Sequence, residues 1–322
     1  MKVRILINSN ARAVKSRKAP EQLFRSYASE KVIVRTTHAV EEILEAVEEC
    51  WESQADVVLL TTGDGGLHRF MSAFVNVYGE RRDEAGELRK LPLFATLRTG
   101  TANLVTGILG GRGKPREALS RLFALLDRVR SSEEIPRIRQ KLLAVSDGVQ
   151  QRFGFIAGVG LIHNFFLEYY RGKRHSVLKF LKILSRMLLS LFTGTPYLQR
   201  LLTAVEARLQ LDETRQRLSH YKMLAVSAID ARIVFFRAFR VGDYLDRIHV
   251  KGGSPSRLAI IRNIPNLLLN RRLRGRDLLD RLAARVRLER EDDFGYTIDG
   301  ELYRARMLEL APGPRSEERR VG

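Results

Sequence analysis

Val57-Val58-Leu59-Leu60-Thr61-Thr62-Gly63-Asp64-Gly65-Gly66-Leu67-His68 is the stretch whose reading decides the fold. Its opening run is apolar or β-branched without polar alternation, as in a strand buried on both faces, and such strands belong to parallel sheets. A helix follows, because Phe70, Phe74 and Val77 recur at helical spacing between Leu67 and Tyr78. Between the two stand glycines that let the backbone approach an anion, and the free N–H groups and positive dipole end of the helix stabilise charge there. The spacing matches neither the dinucleotide fingerprint nor the Walker loop. Taken alone, the segment also reads as an ordinary strand-to-helix turn.

Outward from this stretch, Val3 to Ile7, Val32 to Arg35 and Leu93 to Leu97 are further strand candidates, with crossover helices at Ala39 to Trp51 and Pro115 to Val129. This alternation predicts an α/β unit with a mostly parallel sheet. A second small-residue turn, Thr96-Leu97-Arg98-Thr99-Gly100-Thr101-Ala102-Asn103-Leu104, follows the fourth strand, so two strand ends present donor-rich loops where open α/β sheets bind ligands. From Ile135 the pattern changes. Lys141 to Ser146, Asp147-Gly148 and Gln151 to Ala157 read as an antiparallel hairpin, and Leu224 to Ile229, Ile233 to Phe236, Arg247 to Val250 and Tyr296 to Arg304 continue the β character. The expected domains are an α/β unit over 1–132 and a β-rich, antiparallel, sandwich-like unit over 133–312 with a helical insertion at about 162–218. The charged, aperiodic tail 313–322 resembles a translated sequencing-adapter scar and is expected to be disordered, outside the fold.

Lys and Arg number 56 against 37 Asp and Glu, a formal charge of +19, and 44% apolar content is too high for a disordered chain. The single cysteine, Cys50, excludes an internal disulfide framework and a thiolate-rich zinc site. No secretory signal is visible, so the cytoplasm is the expected address. The basic excess calls for a polyanion: nucleic acid, anionic membrane or phosphorylated substrate. Nucleic acid is not expected, since aromatics are not interleaved with the basic clusters and no nucleic-acid-binding signature is present. In Ser176 to Phe192, Lys179, Lys182, Arg186 and Ser190 share a narrow stripe on an otherwise aliphatic helix. Its bases make it a poor transmembrane span. An interfacial helix, and a helix buried on the β domain with its charges outward, both stay open. His68, His163, His175 and His249 show no metal-ligand spacing.

Late in the chain, Ile298-Asp299-Gly300-Glu301-Leu302 places two carboxylates on one face if the strand is unbroken, while Asp-Gly is also the commonest hairpin turn. Asn8-Ser9-Asn10-Ala11-Arg12, the Gly-Asp-Gly turn, the Gly-Thr-Ala-Asn turn and this Asp-Gly-Glu together resemble the diacylglycerol kinase catalytic-domain family. That family includes bacterial lipid kinases, sphingosine kinases and ceramide kinases, and is related to NAD kinases. The resemblance covers most of residues 1–310 and is sharpest at the turns.

The resemblance implies a Rossmann-like nucleotide domain, a β-rich lipid-binding domain with the active site between them, and ATP with Mg2+. Carried onto this sequence, it implies that Thr62, Gly63, Asp64, Gly65 and Gly66 with Gly100, Thr101 and Asn103 cradle the phosphates, with Asn8 and Thr37 as weaker nucleotide contacts. Asp299 or Glu301 would be the general base, and Asp243 and Asp246 of Gly242-Asp243-Tyr244-Leu245-Asp246 would be metal-associated. The implied activity is ATP-dependent phosphorylation of a hydroxyl on a diacylglycerol-like or sphingoid lipid at an anionic membrane surface, by a peripherally associated enzyme. An NAD-kinase-like activity on a soluble acceptor and a silent lipid- or nucleotide-binding relative are the alternatives, and homodimerisation stays open. The chain departs from the family pattern at Thr62 (for Gly), Gly66 (for Thr, which removes a hydroxyl ligand), Arg69 (for Glu), Arg98 (for Pro) and Leu104 (for Asp).

Overall fold

β1 (Val3–Asn8), β2 (Val32–Thr37), β3 (Val57–Thr62) and β4 (Leu93–Arg98) form a parallel ladder in the order β2-β1-β3-β4. Their helices are α1 (Glu21–Arg25), α2 (Glu41–Glu52), α3 (Asp64–Glu80) and α4 (Pro115–Leu126). Val3, Ile5, Ile7, Val57 and Leu59 face Phe24 of α1 and Leu119 and Leu122 of α4. Leu6, Val58 and Leu60 are buried as well, as are Ile43, Val47, Phe70 and Phe74 on the facing sides of α2 and α3. With both faces covered, β1 and β3 are apolar at nearly every position and show no alternation, whereas β2, at the edge, exposes Ile33 and carries Arg35. Cys50 is fully buried, and burial pushes its thiol up to about 12, so it is inert.

The computed structural model describes the chain apart from residues 12–13, 15–19, 100–104, 106–112, 173–175, 234–235, 238, 242–245, 270 and 320–322. It divides into Met1–Gln140 with Pro314–Gly322, and Lys141–Gly313. The division falls at Gln140, where 132 was expected.

The second unit is built on β5 (Ile138–Ser146), β6 (Gln151–Gly154), β7 (Ile156–Gly160), β8 (Arg208–Leu211), β9 (Met223–Ser227), β10 (Ile248–Gly253), β11 (Leu278–Ala283), β12 (Val286–Ile298) and β13 (Glu301–Arg319). Antiparallel pairing runs β11-β10-β9-β7-β12-β13, around a core that includes Val159, Leu224, Val250, Tyr296 and Leu308. Its helices are α5 (Leu161–Tyr170), α6 (Val177–Thr193), α7 (Pro196–Leu201) and α8 (Arg257–Leu268).

Three sequence expectations are corrected. The helical insertion ends at Leu201, not 218, because Arg208 to Leu211 alternate exposed and buried and pair with β12 as a strand. Helix α8 was not foreseen, although Ser256 caps it by accepting the Ala259 N–H. Pro265 inside it hides the helical pattern. The tail is not wholly outside the fold: β13 runs to Arg319, where Glu318 and Arg319 pair in parallel with Phe94 and Ala95 on the free edge of β4.

A buried polar cluster closes β10 against β11. His249 Nδ1 accepts the Arg240 N–H at 2.7 Å, and Nε2–H donates to Asp280 Oδ1 at 2.7 Å. Asp280 Oδ2 accepts the Leu273 N–H at 2.8 Å and pairs with Lys251 Nζ at 3.4 Å. Burial alone would raise the Asp280 pKa. The His249 and Leu273 hydrogen bonds and the Lys251 charge outweigh it and hold the carboxyl below its ordinary value. A carboxylate pKa depressed by folding contributes stability that is present above the unfolded value and lost as pH falls through the folded one. Asp280→Asn should therefore cost about 3 kcal/mol at neutral pH by leaving Lys251 buried without its partner, and should flatten the acid limb of stability. Urea midpoints measured across the acid range check this, and an unchanged acid limb would refute it.

Candidate functional site

The parallel register aligns Ile7 with Thr61 and Thr62 with Arg98, so the turns after β1, β3 and β4 leave the same edge of the sheet. Gly63 is the extended residue before α3 and supplies no side-chain cap. Asp64, Gly65 and Gly66 form the first helical turn, where backbone N–H groups have no intrahelical acceptor. The positive end of the helix dipole and the N–H groups of the first turn coincide there. Asp64 Oδ1 accepts the Val105 N–H at 3.1 Å, tying this turn to the chain just past the second one. Gly100, Thr101 and Asn103 lie outside the described residues. Beside them Thr99, which sequence reading did not single out, is fully buried, and its hydroxyl has no partner among the described residues.

Thr62, Asn8 and Gly66 interlock. Asn8 Nδ2 donates to Thr62 Oγ1 at 3.3 Å, while Asn8 Oδ1 accepts the Asn10 N–H at 2.9 Å. Thr62 is fully buried, and a Cβ on residue 66 would stand 1.9 Å from its Oγ1 and 2.8 Å from Asn8 Nδ2. Only glycine fits at 66 while threonine occupies 62. The two departures therefore compensate one another: the hydroxyl group has not simply been lost at 66, because one stands in the same space from 62. Thr37 is also buried and donates its hydroxyl to the Ile7 carbonyl at 3.3 Å. Asn8 and Thr37 thus lock the frame beneath the turn.

A cavity of about 520 Å3 beside the end of β2 is lined by Glu21, Glu42 and Glu45 with Arg25, Arg35 and His38. Its carboxylates oppose phosphate, in contrast to the bare turn at α3.

In the second unit, of the two readings of Ile298 to Leu302 the hairpin turn is the one observed, so Asp299 and Glu301 do not share the face of an unbroken strand. Ile298 pairs with Glu301, and Asp299 (φ 48°) and Gly300 (φ 95°) are the two left-handed residues of a tight hairpin turn. Asp299 Oδ1 accepts the Ile156 N–H at 2.8 Å and Oδ2 the Phe155 N–H at 3.0 Å, and its own N–H donates to the Ile156 carbonyl at 2.8 Å. It thereby fixes the break between β6 and β7, where sequence reading has one continuous strand. Glu301, half-buried, opens β13. Asp243 lies outside the described residues. Asp246 is 75% exposed, with Arg247 Nε at 3.4 Å. Among the described residues no group of three His, Cys, Asp or Glu could hold a metal. Burial lowers the pKa of His163, whose Nδ1 lies 3.2 Å from Asn164 Oδ1, and its ring fills the space over Gly295.

Residues 2–131 match the sequence model of the diacylglycerol kinase catalytic domain. The N-terminal unit is a diacylglycerol kinase catalytic domain. Forty-six solved chains share the fold. Three are proteins of Bacillus anthracis str. Sterne that bear the name diacylglycerol kinase, two of them provisionally, at 15%, 13% and 14% identity with TM-scores of 0.65, 0.58 and 0.61. Each match covers 98% of this chain and 96% of the other, so the likeness in fold extends over both units. No curated protein matches. The matched domain takes in the turns after β1 and β3 and the end of β4, and suggests a kinase of the diacylglycerol, sphingosine or NAD kinase type.

Within this kinase domain the interlock makes a quantitative prediction. Gly66→Ala should destabilise the protein by about 1–3 kcal/mol through overpacking, and Thr62→Ala should recover much of that loss because it vacates the contested space. A double-mutant cycle in urea reads the coupling. Additive effects would show that residues 62 and 66 do not share the space.

Proposed function

We propose that this chain is an ATP-dependent lipid kinase, transferring the γ-phosphate to a hydroxyl of a diacylglycerol-like or sphingoid lipid as a cytoplasmic enzyme working at a membrane surface. The observation that carries the proposal is the uncapped, glycine-bearing first turn of α3 at the carboxyl end of β3, inside a diacylglycerol kinase domain. The donor set fits a nucleotide polyphosphate: first-turn N–H groups beyond the intrahelical ladder, a helix dipole of the right sign and small residues that admit close approach.

When bound, ATP with Mg2+ supplies the phosphoryl group and the counter-charge for its transfer. The N–H groups of Asp64, Gly65 and Gly66 would bind the phosphates, and Asp64 would keep the turn oriented through Val105. An alcohol attacks phosphorus well only as its proton leaves, so a positioned base is required. Asp299 has both carboxylate oxygens committed to the Phe155 and Ile156 N–H groups. Glu301 is therefore assigned the base, and Asp299 holds the turn that carries it. The compensation between Thr62 and Gly66 weighs against a silent relative, since the departures there preserve the shape of the turn.

Incubation with labelled ATP, magnesium and a total lipid extract, with NAD run in parallel, tests the proposal. Label should appear in a lipid fraction. Label in phosphorylated NAD alone, or no transfer at all, would contradict it. Glu301→Gln should lower turnover roughly a hundredfold with ATP affinity retained. Asp299→Asn should instead lower the unfolding midpoint, costing about 1–3 kcal/mol as a backbone N–H loses its acceptor. If Asp299→Asn abolishes turnover at unchanged stability while Glu301→Gln is fully active, the two roles are reversed.

A further inference from the structure

Helix α6 is apolar on two sides. Inward, Phe180, Ile183 and Met187 pack with Phe165 and Tyr169 of α5, and Leu191 packs with Leu198 of α7 and Ile260 and Ile264 of α8. Outward, Leu178 is 79% exposed, Leu189 64% and Phe192 58%, with Leu181 and Leu188 exposed beside them. Those spacings place all five on one stripe. Arg186 is folded onto the Tyr197 ring at 4.1 Å from its centroid, and Lys179 donates to the Arg171 carbonyl beside Tyr169, so the centre of the outward face is left to leucine.

The face extends to α8. Arg257 donates from Nε to the Leu191 carbonyl at 2.7 Å and from Nη2 to the Phe192 carbonyl at 2.6 Å, fixing the first turn of α8 against the last turn of α6. The next residue, Leu258, is 62% exposed. The surrounding sequence has one sign of charge. Between Glu168 and Glu206 there are seven Lys or Arg and no acid, and between Asp246 and Asp277 there are six besides Arg247 and Lys251, which pair with Asp246 and Asp280, and no acid. A second copy of this chain would bring the same basic field to the same face, opposing association. An anionic bilayer offers both complements, negative headgroups above an apolar interior.

We propose that the outward face of α6, with Leu258 of α8, is a membrane-docking surface, its leucines and Phe192 entering the acyl boundary of an anionic bilayer while flanking bases such as Lys182 meet the headgroups. No helix among the described residues is long and apolar enough to cross a membrane, so α6 docks lying in the interface. This adds a docking face to the lipid-kinase proposal, but its test reads vesicle binding and not phosphate transfer, so either can fail without the other.

The full chain is cosedimented with phosphatidylcholine vesicles with and without phosphatidylglycerol. Wild type should partition to the anionic vesicles, and added salt should weaken but not abolish the binding. The variant Leu178→Gln/Leu189→Gln/Phe192→Gln should lose on the order of tenfold or more of this partitioning. Its unfolding midpoint should hold, because these side chains are already exposed. Undiminished binding by the variant, or no binding by wild type at low salt, would overturn the proposal. So would a wild-type dimer that the variant dissolves while neither form binds vesicles, which would assign the face to a second copy.

Discussion

One space at the end of β3 holds one side chain, and it is claimed by Thr62. Gly66 must then be bare, and Asn8 is drawn from β1 onto the Thr62 hydroxyl. The ends of two adjacent parallel strands are thereby locked together, and the first turn of α3 starts directly after β3 with no side-chain cap from Gly63. Asp64 extends the lock toward Val105, beyond the second turn. The chemistry proposed for the N-terminal unit depends on this arrangement, because an anion site made of backbone N–H groups works only while the backbone beneath it does not move.

The second unit uses carboxylates the other way, as internal fasteners. Asp299 spends both oxygens on the backbone between β6 and β7, and Asp280 joins His249, Lys251 and Leu273 across β10 and β11. Both close irregularities in an antiparallel sheet that would otherwise leave buried N–H groups without acceptors. The helices α5 to α8 are held by aromatic and aliphatic clusters, and α6 presents a second apolar side.

Much of this is legible in the sequence, for stated reasons. The central parallel strands β1 and β3 are read correctly because burial on both faces makes them nearly continuous apolar runs, and the turn at Gly63 because a strand ends and a helical period begins within a few residues. The place of Asp299 is left open in the sequence because a spacing of two puts side chains on one face only if no turn intervenes, and Gly300 at φ 95° makes one. Residues 205–218 were assigned to the helical insertion because Arg208 to Leu211 is too short a period-two run to stand out behind three helices. The interlock of Thr62 with Gly66 is invisible in one dimension, since each looks like a separate departure from the family pattern. The apolar surface of α6 beside its basic stripe is legible at helical spacing, but the contacts of Arg186 with Tyr197 and of Lys179 with Tyr169 are not.

Backbone amide shifts of Gly65 and Gly66, followed while ATP and magnesium are titrated into the full chain, report most directly on whether phosphate sits at the first turn of α3. Both amides should move in a saturable way, and adenosine, which lacks phosphate, should leave them nearly unchanged. Saturation with ATP that shifts amides elsewhere while Gly65 and Gly66 stay in place would contradict the assignment of this turn.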